Sequence, residues 1–172
     1  MRPSALSRPA SLALLALCAC AGEPPTGARV AVAAPSRAAA PERPMRGDCE
    51  TTFPRLQGPP VGTIRQVDVG TCRLTHLGRA ALYSSKVIDF AAGTQATDDF
   101  RLTAADGDQL FGAGSGTSAP AGPGRIAFRA TMTLTGGTGR FAGARGALRI
   151  EGVADVATAS STMRVVDGWI AY

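Results

Sequence analysis

The chain has 172 residues, with 18 Lys+Arg against 13 Asp+Glu, a formal charge of +5 and a pI near 9.6. Its length suits one domain. No apolar run approaches the roughly 18 residues of a membrane-spanning helix, which excludes a polytopic helical membrane protein. Taken alone, the basic balance would point to nucleic acid or an anionic membrane.

The N-terminus reads as an export signal. Arg2 and Arg8 supply a positive n-region, and Ala10–Ala19 is an apolar stretch of signal-peptide length, too short for a stop-transfer helix. It ends in Leu17-Cys18-Ala19-Cys20, similar to a bacterial lipobox: an apolar residue three before the cysteine, a small one beside the cut, then the thiol to be lipidated. Residues 1–19 are therefore expected to be a lipoprotein signal peptide and Cys20 the lipidated residue, because Cys18 would put Leu17 at the small-residue position. An ordinary secretory signal cut after Ala19 or Ala21 is the alternative. The expected location is the cell envelope, by lipid anchor, or outside the cell. The lack of an acidic residue after Cys20 is compatible with the outer membrane of a diderm host.

Residues 20–47 carry Pro24, Pro25, Pro35, Pro41 and Pro44 among alanines, without periodicity, and are expected to form a tether. Six arginines against two glutamates precede residue 48, whereas the remainder holds twelve basic and eleven acidic residues. The charge that suggested nucleic acid thus sits in the signal and tether, and no nucleic-acid partner is expected. Of the four cysteines, Cys49 and Cys72 remain for the domain. In an oxidising compartment they are expected to pair, closing a loop of about 24 residues worth on the order of 3 kcal/mol. Two cysteines and one histidine lack the ligand number of a zinc site, so neither metal nor cofactor is expected.

From Asp48 to Tyr172 the pattern becomes all-β. In Arg125–Thr135, Ile126, Phe128, Ala130, Met132 and Leu134 face one way and Arg125, Arg129, Thr131, Thr133 and Thr135 the other. Similar runs fall at Val61–Val69, Cys72–Thr75, Arg79–Phe90, Ala96–Thr103, Gln109–Thr117, Ala147–Val156 and Ser161–Tyr172. Turn signals stand at Ala92-Gly93, Asp106-Gly107 and Pro120–Gly124. The spacing gives about eight strands, which suit a barrel or a sandwich. Closure is favoured because an open sheet would want charged edges, and the chain has one lysine, Lys86.

The run Thr135-Gly136-Gly137-Thr138-Gly139-Arg140-Phe141-Ala142-Gly143-Ala144-Arg145-Gly146 resembles the glycine-rich turn of dirigent proteins and the related allene oxide cyclase barrels. Thr75–Arg79 and Asp106–Gly112 are similar to recurring segments of small exported bacterial proteins that share this barrel. The resemblance covers most of Cys72–Glu151 and implies an eight-stranded antiparallel closed barrel with a central cavity. A phosphate-loop reading of the same run fails, since strands flank it and no Gly-Lys-Ser/Thr follows. The expected roles are positive-φ turns for its glycines and a plug at one barrel end for Phe141. No catalytic residue carries over from the family, because no cavity position matches outside this turn.

Candidate site residues come from strand parity. Phe128 and Met132, on the inward face of their strand, and Trp169, on the last strand, are the expected cavity residues. Asp167 shares parity with Met163, Val165 and Trp169 and is the candidate acid/base, as a carboxylate among apolar neighbours would be. Val166 and Ile170 have the opposite parity, however, and a bulge would turn Asp167 outward. Lys86 shares parity with Leu82, Ile88 and Phe90, while Glu151 lies with Arg149 on a polar side. His76 is expected to fix a turn. The leading expectation is a lipid-anchored barrel binding a small apolar ligand. An isomerase or cyclase, which requires a carboxylate inside the cavity, is the second, and a structural or interaction module the third.

Overall fold

The computed structural model describes residues 40–55 and 61–172. The signal peptide and Cys20 lie outside these residues. Among the described residues nine strands follow in chain order: β1 (Arg43–Pro44), β2 (Gly47–Thr52), β3 (Thr63–Leu74), β4 (Gly78–Asp89), β5 (Thr94–Ala104), β6 (Gln109–Pro120), β7 (Arg125–Gly137), β8 (Arg145–Asp155) and β9 (Ser160–Ala171). Each of β2 to β8 pairs antiparallel with its successor, and β9 pairs with both β8 and β2. The result is an eight-stranded antiparallel closed barrel, and closure leaves β2–β9 without a free edge. β1 is an extra strand laid on the end of β9, with Arg43 opposite Ile170.

Two strand assignments differ from expectation. The runs Val61–Val69 and Cys72–Thr75 are one continuous strand, β3, that passes through Gly70. A Cβ at Gly70 would fall 2.0 Å from the Glu50 carbonyl oxygen, so this glycine lets β2 and β3 approach rather than marking a break. The eighth barrel strand is β2, whose sequence Gly-Asp-Cys-Glu-Thr-Thr has too little apolar alternation to be read in advance. The folded part also starts before residue 48. Pro44 has no N–H to donate, yet as an edge residue it fits a ladder, and Met45 is fully buried with its N–H on the Gly168 carbonyl at 2.8 Å.

Among the described residues the barrel has one closed and one open end. At the closed end the glycine-rich run forms a short 3-10 turn (Gly139–Phe141) that drives Phe141, 0% exposed, into the core. Tyr172 packs edge-on against it at 4.9 Å, and Leu102, Leu110, Leu134, Leu148 and Ile170 fill the interior behind. His76, at φ +68°, bonds from its Nε2 to the Pro44 carbonyl at 3.1 Å and ties β1 to the β3–β4 turn. Cys49 and Cys72 stand directly opposite on β2 and β3 and form a disulfide buried in the core. On the outside, β7 presents Arg125, Arg129, Thr131, Thr133 and Thr135, all exposed, the reverse of the apolar band of a membrane-spanning barrel.

Candidate functional site

Towards the open end the interior turns polar. Alternation along β3 points Gln66 and Asp68 inward, β4 adds Ser84 and Lys86, and β5 adds Gln95 and Thr97, all buried. Lys86 sits opposite Gln66 and diagonal to Asp68 in the β3–β4 register. Its ammonium donates to Asp68 Oδ2, while Gln66 Nε2 donates to Asp68 Oδ1 at 2.7 Å. Both carboxylate oxygens are thereby engaged, and Asp68 is 1% exposed. On the far side the Phe128 ring from β7 lies 5.6 Å from the Lys86 nitrogen, within cation–π range. The ring occupies the space left by Gly152, where a Cβ would come 2.4 Å from Phe128 Cζ.

Two cavities of about 30 Å³ each flank this group. Lys86, Gln95 and Phe128 wall both of them. The deeper one is bounded by Asp68, Ser84 and Thr97 on one side and by Met132, Ile150 and Met163 on the other. The shallower one reaches Phe53, Gln66, Ile88 and Ser161. Each has the volume and polar lining that a buried water requires. Ser84, Gln95 and Thr97 bring hydrogen-bonding capacity beyond the Gln66–Asp68–Lys86 chain. Beyond the shallower cavity opens a mouth of about 270 Å³ between Phe90, Pro120, Arg125, Ile126 and Val156. Phe90, Ser118, Ile126 and Val156 border both the mouth and the shallower cavity. A mostly apolar mouth thus borders the shallower cavity, and the two cavities beside the Asp68–Lys86 pair make up a polar chamber.

The sequence-derived candidates separate. Phe128 and Met132 line the chamber. Asp167 and Trp169 do not, and the expectation that groups them with Met163 and Val165 is corrected by a β-bulge. Ile150 pairs with Val165 but Arg149 with Asp167, so Val166 is the extra residue. The inward face passes from Met163 and Val165 to Gly168 and Ile170, which leaves Asp167 exposed on the outer surface and Trp169 beside it. Glu151 is on the outer face, 3.4 Å from Arg129. Lys86 faces inward with Leu82 and Ile88, as its parity implies.

Asp68 is the residue the sequence did not reveal. In β3, Val67 and Val69 make the opposite parity look like the apolar face, although Val69 is 49% exposed. The signal that could have found Asp68 is its parity with Cys72 and Leu74, both buried.

Carboxylates with shifted acidity lie outside the chamber. A hydrogen bond from Arg65 holds Asp98 below the ordinary carboxylate range, and one from Arg101 does the same for Asp99. Asp155 is lowered by the backbone N–H of Thr158, then that of Ala157, in the β8–β9 turn. Among the described residues no group of three His, Cys, Asp or Glu side chains is placed to hold a metal ion. In comparisons with known proteins, no family model, curated protein or solved structure matches the chain.

Proposed function

We propose that the chain is a lipid-anchored cell-envelope β-barrel that takes a small, largely apolar molecule bearing one polar group through its open end. The observation that carries this reading is the Asp68–Lys86 pair set beneath an apolar mouth. A barrel needing only a filled interior gains little from a buried ion pair, since desolvation offsets most of the Coulomb attraction and apolar filler serves as well. Placed at the end of a passage, the same pair with Gln95, Ser84 and Thr97 can meet a hydroxyl or carbonyl group. The cavities beside Lys86 admit a group the size of a water, so the polar tip goes there. The apolar body occupies the mouth between Phe90, Ile126 and Val156.

Incubating the purified chain with an envelope lipid extract and recording its native mass spectrum tests this reading. A retained small-molecule adduct is expected, and a bare chain after saturating exposure rejects it. A second reading, an isomerase or cyclase of the allene oxide cyclase or dirigent type, is supported by one specific feature: Asp68 is a carboxylate inside the barrel beside a cation. If it holds, Asp68→Asn abolishes turnover of the bound molecule while leaving the adduct.

A further inference from the structure

The outer face of the barrel carries an ordered row of charge. Antiparallel register aligns Arg79, Arg73, Asp48, Arg164, Glu151 and Arg129 across β4, β3, β2, β9, β8 and β7. Both acids in the row are engaged further along it: Asp48 with Arg164 at 3.0 Å and Glu151 with Arg129 at 3.4 Å. Arg73 and Arg79 therefore face each other directly across β3 and β4 with no ion pair to an acid among the described residues, an arrangement that by itself is destabilising. Arg46 stands on the same rim, its guanidinium fixed by a 3.0 Å hydrogen bond to the Val166 carbonyl. The three arginines border an open hollow of about 940 Å³ in which Asp48 is the one acidic residue.

From this we infer that the hollow between Arg46, Arg73 and Arg79 binds the phosphate group of an anionic phospholipid headgroup. Guanidinium groups pair with phosphate oxygens two at a time, and an anion placed between Arg73 and Arg79 relieves their mutual repulsion. A lipid fits better than a soluble phosphate because the hollow is broad, unroofed and at the end of the barrel where β1 brings the chain in from the N-terminal side. Arg43 adds a further positive charge there. The inference does not depend on the ligand chamber, which opens at the other end, nor on lipidation of Cys20.

The test is sedimentation of the full chain with equimolar phosphatidylglycerol–phosphatidylcholine vesicles against pure phosphatidylcholine. Residues before Ala40 are common to all variants, so differences report the barrel. Arg73→Gln/Arg79→Gln is expected to weaken partition to the anionic vesicles by roughly thirtyfold at about 0.1 M salt, with neutral vesicles unaffected. Arg125→Gln/Arg129→Gln, which removes the same charge from β7 across the barrel from β3, is expected to leave the partition within about twofold of wild type, since the Debye length at that salt is about 10 Å. Equal loss in both double variants, or no loss in the first, overturns the inference. Saturation of the chain by micromolar inorganic phosphate, lost in Arg73→Gln/Arg79→Gln, with no preference for anionic over neutral vesicles, would instead assign the hollow to a soluble phosphate and also overturn it. Removing two opposed like charges does not threaten the fold, and an unchanged far-ultraviolet spectrum verifies that.

Discussion

The carboxylate of Asp68 and the ammonium of Lys86 meet inside the barrel, one strand apart, where neither reaches bulk water. Breaking such a pair leaves an uncompensated buried charge, whereas replacing both partners removes the desolvation cost with the attraction. Lys86→Met or Asp68→Leu alone is therefore expected to lower stability by about 3–5 kcal/mol. The double variant Asp68→Leu/Lys86→Met should recover most of that loss. Urea unfolding of the three proteins measures the coupling, and additive losses would show that the two groups do not act on each other.

Phe128 separates the two interior cavities and backs onto Gly152. Phe128→Ala is expected to merge them into one void and to cost less than the roughly 3–5 kcal/mol of a fully buried phenylalanine, since the ring is partly buried. The enlarged space should also take up a small aromatic probe such as benzene, seen as a rise in thermal midpoint with probe concentration.

The disulfide between Cys49 and Cys72 joins β2 to β3, with 23 residues of separation. Reduction, or Cys49→Ala/Cys72→Ala, is expected to lower stability by about 3 kcal/mol through the freed unfolded chain. Denaturant midpoints with and without reductant report it, and an unchanged midpoint would assign the cross-link no energetic role.

The lowered pKa values of Asp98, Asp99 and Asp155 contribute to the acid limb of stability. A carboxyl held below its ordinary value of 3.8 stabilises the fold fully above that value, and the contribution is lost as pH falls through the folded-state value. Stability is thus expected to decline below about pH 4. The Asp98→Asn/Asp99→Asn/Asp155→Asn protein should show a flatter decline in the same urea titrations.

Asp167, exposed beyond the β9 bulge, offers a contrast. Asp167→Ala is expected to change stability by less than about 0.5 kcal/mol, as surface substitutions do, and to leave ligand retention intact in the native mass spectrum.

What the sequence made legible follows from how strictly each strand alternates. β7 keeps a clean period of two as far as Leu134, so its inward residues Phe128 and Met132 were readable, and Lys86 shares parity with Leu82 and Ile88. The β9 bulge stood in the sequence only as the alternative that Val166 and Ile170 leave open, and the β5 bulge hides in the like-with-like doublet Asp98-Asp99. A single extra residue there reverses parity for everything after it, which is how Trp169 leaves the interior. Asp68 stayed hidden for a different reason. Its burial depends on a partner from the neighbouring strand, and pairing of Lys86 with Asp68 is a property of register rather than of either strand alone.

Lys86 is the one lysine of the chain, so a protein grown with ¹³Cε-lysine carries a single labelled site at the chamber floor. Its nuclear magnetic resonance signal, recorded before and after exposure to the envelope lipid extract, tests most directly whether a ligand's polar group reaches the Asp68–Lys86 pair. The account predicts one new resonance that appears with the adduct in the native mass spectrum. An adduct bound while the Lys86 signal stays unmoved would place the ligand elsewhere and contradict it.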